Sequence, residues 1–321
     1  MPAKIRVLKK IGGQKKIRGQ EEVMSLIRLA MKKNMSALLV GDTGCGKTSM
    51  VEAVAEETGS TLVRISINGA TTPDELIGKY ELKNGSTVFE KGPLYVAMEE
   101  GLTLVLDEVN MASGEVTSLL HPVMDDAHAL TVSTNRCEVV KAHKDFRVFA
   151  TMNPTEEYSG TKEMNAAFAS RFGLTLYVDY PQQNDEIAIL VEQGGCTVTS
   201  ATVISEVAVR LRKARKEGKV YYKCSTRDCI SWAKLVEDLG IENAFRVTVG
   251  NKSKSDESAV SEVISEVIKT AASIKDEHGV TTLAEIQDSC LSLAREKSKF
   301  EGEKDNMRTA IIESLVGSLK S

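Results

Sequence analysis

Several patterns that would direct the interpretation elsewhere are missing from the sequence. The six cysteines, at positions 45, 137, 196, 224, 229 and 290, do not occur with C-x-x-C or zinc-ligand spacing, and the four histidines form no H-E-x-x-H motif. No apolar run reaches the roughly 18 residues of a transmembrane helix, and the basic amino-terminal segment lacks the apolar core of a signal peptide. We therefore expect reduced thiols, no membrane association and a cytoplasmic location.

An excess of basic residues is missing as well. The chain has 41 lysines and arginines against 45 aspartates and glutamates, a net charge of −4. This balance argues against a generally basic nucleic-acid binder, although it leaves room for a local basic patch. With 321 residues, 42% of them hydrophobic, the chain is long enough for two domains with a core in each.

The most specific motif lies between Gly41 and Thr48. It reads Gly-Asp-Thr-Gly-Cys-Gly-Lys-Thr, fits the pattern G-x-x-x-x-G-K-[ST] and directly follows the apolar run 37–40. A buried strand thus leads into a loop whose backbone N–H groups can surround a phosphate, aided by the positive end of the next helix. We expect Lys47 to reach the β- and γ-phosphates and the Thr48 hydroxyl to ligate Mg²⁺. The whole loop is predicted to bind nucleotide: Gly41, Asp42, Thr43, Gly44, Cys45, Gly46, Lys47 and Thr48.

Two carboxylates follow a second apolar run at 102–106. Asp107 and Glu108 come directly after it, and ligands of open α/β sheets bind at the carboxyl ends of strands. Asp107 can hold Mg²⁺ through its water shell, and Glu108 can activate or orient the attacking water. A solvated helix cap is the ordinary alternative for this pair. Asn153 follows a further buried strand at 146–151, and its amide can hold the lytic water or a phosphate oxygen.

The pattern of the chain changes after Pro181. Before it, strand and helix patterns alternate, and Asn84-Gly85 predicts one β-hairpin, with a second expected at 130–140. After it, helical patterns follow one another at 184–193, 199–216, 226–238 and 255–272. We predict an α/β nucleotide-binding domain with two hairpin insertions at 1–182, a smaller all-α lid at 183–275 and a helical extension at 276–321. The extension either packs on the lid or binds a partner.

Taken in order, these motifs resemble those of the AAA+ ATPases, and in particular those of the MoxR-type, dynein-related branch. That branch includes the ATPase subunit of cobaltochelatase and the ATPases that activate Rubisco and nitric oxide reductase. The resemblance covers roughly residues 15 to 240 and rests on Ile-Arg-Gly-Gln-Glu-Glu at 17–22, Phe-Glu-Lys-Gly-Pro-Leu at 89–94, Asp-Glu-Val-Asn at 107–110, Phe-Ala-Thr-Met-Asn-Pro at 149–154 and Ser-Arg-Phe at 170–172. It implies a P-loop core with a parallel five-stranded sheet of order 5-1-4-3-2, and ATP and Mg²⁺ as ligands.

The resemblance also implies individual roles. It makes the loop lysine and threonine the Walker A residues, the strand-end carboxylates the Walker B pair, and Asn153 sensor 1. It further implies that Arg171 is the arginine finger, that Arg227 is sensor 2, and that Ile17 and Gly19 lie against adenine. Both arginines could instead be ordinary surface residues.

The predicted function is ATP hydrolysis by a homo-oligomeric ring, expected to be a hexamer, coupled to remodelling or activation of a partner protein. In MoxR-type ATPases that partner commonly carries a von Willebrand factor A domain. A nucleic-acid-directed motor of the restriction type would need basic pore loops, and the second hairpin offers only a mild basic bias. A nucleotide-dependent binding switch should lack Glu108 or Arg171, and a small-molecule kinase would need a substrate pocket in place of residues that act in trans.

Overall fold

The computed structural model describes residues 6–8, 17–132, 135, 137–154, 164–253 and the single positions 260, 263 and 265. Two compact units divide the chain between Asp179 and Tyr180. The extension expected at 276–321 lies outside the described residues, as does most of the helix expected at 255–272. No helix in the described ranges has both the length and the apolar character needed to cross a membrane.

The first unit is built of strands and helices in alternation. Its strands are β1 (Arg6–Leu8), β2 (Ala37–Gly41), β3 (Leu62–Ser66), β4 (Gly78–Lys83), β5 (Ser86–Lys91), β6 (Thr103–Asp107), β7 (Ala129–Val132), β8 (Glu138–Lys141), β9 (Arg147–Met152) and β10 (Leu174–Val178). Its helices are α1 (Glu21–Lys33), α2 (Lys47–Glu57), α3 (Pro73–Ile77), α4 (Pro93–Glu100), α5 (Gly114–Met124) and α6 (Ala166–Ala169).

Six of these strands form one sheet in the order β1-β3-β6-β9-β2-β10. β3, β6, β9, β2 and β10 are mutually parallel. Numbered by themselves along the chain, they have the order 5-1-4-3-2, which confirms the prediction. β1 adds a sixth strand, antiparallel to β3, with Arg6 opposite Arg64 and Leu8 opposite Leu62. It was not predicted, because three residues among lysines show no periodicity.

Burial explains why the functional residues come at strand ends. All five residues of β6 are buried, and a strand covered on both faces needs a continuous apolar run. The run can stop only where the strand leaves the core, so the first carboxylate, Asp107, lies at the carboxyl edge of the sheet. β2 and β9 are nearly as buried and end at the same edge, in Gly41 and Met152.

Both predicted hairpins are confirmed. β4 and β5 pair from Gly78 opposite Lys91 to Lys83 opposite Ser86. Asn84 and Gly85 between them have φ values of 51° and 76°, as a two-residue type I′ turn requires. β7 pairs with β8 from Ala129 to Val132.

Within residues 180–253 of the second unit all the regular elements are helices, as predicted. Its helices are α7 (Gln183–Ile189), α8 (Val198–Lys216), α9 (Thr226–Ala233) and α10 (Val236–Thr248), and α7 continues into a π-helical turn, Leu190–Gly194. Trp232 is fully buried at the centre, with its ring centroid 4.9 Å from that of Phe245 and its Nε1 donating to the carbonyl of Ile241. The helix expected at 226–238 is in fact two, and Gly240, with φ 71° and ψ 164°, interrupts the second.

Candidate nucleotide site

The backbone of the phosphate loop depends on glycine, and for different reasons at Gly41 and Gly46. Gly41 pairs with Val178 across β2 and β10, and a Cβ at Gly41 would collide with the Val178 carbonyl oxygen. Gly46, the residue before α2, has open space around a Cβ but a φ of 97°. It therefore supplies a conformation that other residues adopt at a cost. Between them Asp42 and Thr43 are half-buried and Cys45 is buried.

Lys47 and Asn153 meet at the carboxyl edge of the sheet. The Lys47 side chain is buried, and its Nζ donates to the carbonyls of Gly41 and Asp42, each at 2.7 Å, and to Oδ1 of Asn153 at 3.1 Å. Burial lowers the pKa of Lys47, although nearby anionic groups oppose the shift. All three acceptors are formally neutral oxygens, so a phosphate would be a stronger partner for the ammonium.

Asp107 and Thr48, both expected to act on one Mg²⁺ ion, are also in contact. Thr48 Oγ1 donates to Asp107 Oδ1 at 2.7 Å, and Thr151 Oγ1 donates to the same oxygen at 3.0 Å. The other carboxylate oxygen, Oδ2, accepts from Nε of Arg64. Arg64 in turn donates from Nη1 to Oε1 of Glu52 at 3.1 Å.

The sequence interpretation missed three of these residues, namely Arg64, Glu52 and Thr151. One signal was available for Arg64, which is the single charged residue in the otherwise mostly apolar strand 61–67. A charge inside such a run needs a partner, and the partner is Asp107.

Glu108 lies exposed at the point where the chain leaves β6. Its backbone is left-handed, with φ 57° and ψ 41°, and its N–H donates to Thr151 Oγ1 at 3.3 Å. Such a conformation costs a non-glycine residue on the order of 1–3 kcal/mol and often occurs at active sites. Asn110 follows in the short 3₁₀ turn; its side-chain amide donates to the Asn153 carbonyl at 3.2 Å. Its buried Oδ1 has no hydrogen-bond partner among the described residues.

The donor set fits a magnesium nucleotide. The Thr48 hydroxyl and the Asp107 carboxylate are oxygen ligands of the kind that Mg²⁺ prefers. The Thr48 hydroxyl can bind the metal through a lone pair while it still donates its hydrogen bond to Asp107. A buried ammonium faces the same loop, and the unpaired Asn110 oxygen provides a further acceptor. The residues present could therefore hold both the metal and the phosphates.

The remaining predicted residues lie elsewhere in their units. Ile17 is half-buried and Gly19 exposed in the segment before α1. Arg171 follows α6; its Nε lies 2.6 Å from Oδ1 of Asp125, and Nη2 donates to Oδ2 at 3.1 Å. Its described side-chain partners are thus outside the phosphate loop. Arg227 is exposed in the first turn of α9, in the second unit.

Comparison with known proteins places the chain in a family. The family model "AAA domain (dynein-related subfamily)" matches residues 36–172, and the model "CbbQ/NirQ/NorQ C-terminal" matches residues 186–271. Protein CbbQ of Hydrogenophilus thermoluteolus is 32% identical over 59% of this chain and 70% of its own length. Protein NorQ of Paracoccus denitrificans is 32% identical over 55% of this chain and 64% of its own length.

A much longer protein is related as well. Midasin of Dictyostelium discoideum is 30% identical over 80% of this chain, yet the chain spans only 4% of that midasin. The parallel sheet, the phosphate loop and the matched AAA domain define the class as P-loop ATPases of the AAA+ type. Within that class the chain belongs to the MoxR-type family that contains CbbQ, NirQ and NorQ. The predicted resemblance and the predicted class of enzyme, an ATPase, are confirmed.

Proposed function

We propose that the protein hydrolyses ATP as an oligomeric ring and uses the hydrolysis cycle to remodel or activate a partner protein. The observation that carries the proposal is the meeting of three motifs at one edge of the sheet. Lys47 contacts Asn153, and Thr48 contacts Asp107, although these residues come from α2, β6 and the end of β9. Such convergence is expected of a site that binds and cleaves a nucleoside triphosphate.

Each residue then has a chemical task. The loop from Gly41 to Thr48 binds the phosphates, with Lys47 as their counter-charge. Thr48 and Asp107 hold Mg²⁺, which when bound neutralises charge on the phosphates. Glu108 accepts a proton from the attacking water, and Asn153 orients that water or a phosphate oxygen.

An exposed carboxylate next to the Mg²⁺ ligands favours hydrolysis over transfer to another substrate. Glu108 is accessible to solvent, as a water-activating group must be. A kinase acting on a small molecule would have little use for it. A pure binding switch would have no need of it either.

The ring is proposed from the family resemblance. Arg171 acts as the finger that completes a neighbouring subunit's site, Arg227 acts as sensor 2, and Ile17 and Gly19 contact adenine. The division into a nucleotide domain at 1–182, a lid at 183–275 and an extension at 276–321 belongs to the same proposal. A hexamer is the expected closed form.

The partner is proposed to be a protein, with a von Willebrand factor A domain as the expected adaptor. The relatives CbbQ and NorQ support this choice through membership of one family. A nucleic-acid partner is less favoured, because the net charge is −4 and the exposed Glu138 and Lys141 in β8 give that hairpin both signs of charge.

One set of measurements tests the proposal. Phosphate release from ATP with Mg²⁺ is followed with and without duplex or single-stranded DNA, and the oligomeric state is measured by mass photometry with and without ATP. We expect hydrolysis that DNA leaves unchanged and nucleotide-dependent assembly into a ring. Stimulation by DNA of tenfold or more would favour the motor, and tight binding without turnover would favour the switch.

A further inference from the structure

Arg64 links the two elements that carry the proposed metal ligands. It lies on β3, which runs beside β6, with Ser66 opposite Asp107. Its Nε contacts Oδ2 of Asp107 while Nη1 donates to Glu52 at 3.1 Å. Glu52 lies on α2 four residues after Thr48, so the two side chains share a helix face. One guanidinium thus connects the Thr48 helix to the Asp107 strand.

The Asp107 carboxylate is held from three directions. Thr48 on α2 and Thr151 on β9 donate to Oδ1, and Arg64 on β3 contacts Oδ2. A carboxylate has about four lone-pair sites, so these three contacts fix its plane and leave about one site for a metal-bound water. Asp107 is nearly fully buried, which makes its orientation depend on these donors.

Glu52 determines whether the positive charge of Arg64 weakens Mg²⁺ binding. A lone guanidinium beside Asp107 would repel Mg²⁺ and weaken its binding. Because Arg64 is paired with Glu52, the pair has no net charge and can orient Asp107 without cancelling its attraction for the metal. The side chains of Arg64 and Glu52 are 35% and 23% exposed, so the link lies at the border of the core.

We propose that Arg64, anchored by Glu52, is a positioning residue that orients the Asp107 carboxylate for Mg²⁺. The inference rests on the proposed role of Asp107 as a metal ligand. Arginine suits the task because its planar fork can contact two carboxylates at fixed angles, whereas the lysine ammonium is a point charge on a flexible stem.

Two substitutions test the link, and Arg64→Lys separates orientation from charge. Arg64→Lys keeps the positive charge and loses the fork, and Glu52→Gln keeps Arg64 but weakens its anchor. We expect both to raise the Mg²⁺ concentration needed for half-maximal tightening of nucleotide binding, with Arg64→Lys raising it about 10- to 100-fold, the usual range for groups that orient metal ligands. Binding of the fluorescent probe N-methylanthraniloyl-ADP in EDTA should stay within about twofold of wild type, because the phosphate loop is unchanged.

The double variant and a matched control complete the design. Because part of the Glu52→Gln effect acts through the Arg64 fork, adding Glu52→Gln to Arg64→Lys should raise the Mg²⁺ requirement by less than Glu52→Gln does in the wild type. Arg28 also pairs with a glutamate of α2, since its Nε donates to Glu57 Oε2 at 2.7 Å. Arg28→Lys should therefore leave the Mg²⁺ dependence unchanged.

Asp107→Asn distinguishes failure of this inference from failure of the proposed function. If Asp107→Asn removes the Mg²⁺ response while Arg64→Lys and Glu52→Gln retain the wild-type response, the role of Arg64 is wrong and that of Asp107 stands. If Asp107→Asn also retains the response, the proposed metal site is wrong. Equal weakening of binding in EDTA and in Mg²⁺ would show a merely structural role. Should Arg64→Lys fail to fold, a wild-type Mg²⁺ response in Glu52→Gln would by itself overturn the proposal.

Discussion

Among single residues, Glu108 is the one whose change should separate nucleotide binding from turnover. Glu108→Gln keeps the size of the side chain and removes the base, so kcat for phosphate release should fall by about 10² or more. Affinity for a fluorescent ATP analogue should remain near that of wild type. Because Glu108 is exposed, its change should not disturb the core.

Lys47→Ala provides the contrast. Its ammonium has three oxygen partners in the loop and at Asn153, and its removal should weaken nucleotide binding itself. Phosphate release at the wild-type rate in Glu108→Gln would show that another group activates the water.

Gly46 tests whether the loop depends on backbone conformation. Gly46→Ala introduces a methyl group into open space but at a φ of 97°, where an L-residue costs about 1–2 kcal/mol. We expect a lower melting temperature or weaker nucleotide binding, since the loop must either stay strained or change shape.

Gly114→Ala is the matched control for Gly46→Ala. A Cβ at Gly114 also meets nothing within 4 Å, but Gly114 begins α5 without a positive φ. The control should be neutral or slightly stabilising. Equal effects of the two alanines on melting and binding would contradict the conformational argument.

The role of a single residue could be predicted only where a sequence motif contained that residue. Lys47, Thr48, Asp107 and Asn153 belong to patterns tied to strand ends, and the parallel sheet brings those ends together. Arg64 belongs to no such pattern. Its contact with Asp107 depends on the register of two neighbouring strands, which only the folded sheet defines.

Strands and hairpins could be predicted from the sequence wherever the local residue pattern was a strong signal. Asn84-Gly85 fixed the first hairpin, and strands buried on both faces showed as apolar runs. β1 was not predicted, because its pairing with β3 joins residues far apart in the sequence and leaves no local pattern. The division between α9 and α10 was missed because helical periodicity continues across the two residues, 234 and 235, that separate them.

The start of α9 should show a defined pH dependence. Ser225 and Asp228 cap each other reciprocally, and Lys252 Nζ donates to Asp228 Oδ1 at 2.5 Å. Burial alone would raise the pKa of Asp228, but the hydrogen bonds from Lys252 and Ser225 outweigh it and lower the pKa below 3.8. The stabilisation is therefore complete above pH 3.8 and is lost as the pH falls through the lower, folded-state value.

We therefore expect Asp228→Asn to lower the unfolding free energy of the second unit by about 1–2 kcal/mol near neutral pH, in the range for hydrogen bonds to charged groups. Urea unfolding at a series of pH values should show this difference shrinking below pH 3.8. Asp238→Asn is the control, because Asp238 is exposed in the first turn of α10 and should give a smaller effect. A difference that grew with acid would contradict the sign derived for Asp228.

At the scale of the whole molecule, the proposal requires a second chain to complete the active site. Lys47, Thr48, Asp107, Glu108 and Asn153 lie together at one sheet edge. Arg171 has its described side-chain contacts with Asp125 and Ala167 instead. The Asp125 pair holds the guanidinium in a fixed orientation on the first unit. A guanidinium held in this way fits the proposed role of a finger for a phosphate on another subunit.

The last prediction tests that arrangement with mixed subunits. Arg171→Ala should bind ATP normally and hydrolyse it poorly, since a finger can be worth about 10³ or more in rate. Lys47→Ala should bind poorly but still present Arg171. In mixed oligomers some interfaces pair an intact loop with an intact finger, so combining the two inactive proteins should restore phosphate release in proportion to those interfaces.

The controls decide between action in trans and action within one chain. A protein carrying both changes, mixed with Arg171→Ala, should stay inactive because no interface then holds an intact finger. Mass photometry must show mixed assembly, since head-to-tail contacts are what the mechanism requires. Failure to restore activity in proven mixed oligomers would mean that Arg171 serves its own chain, and its pairing with Asp125 would then be the structural contact of an ordinary surface arginine.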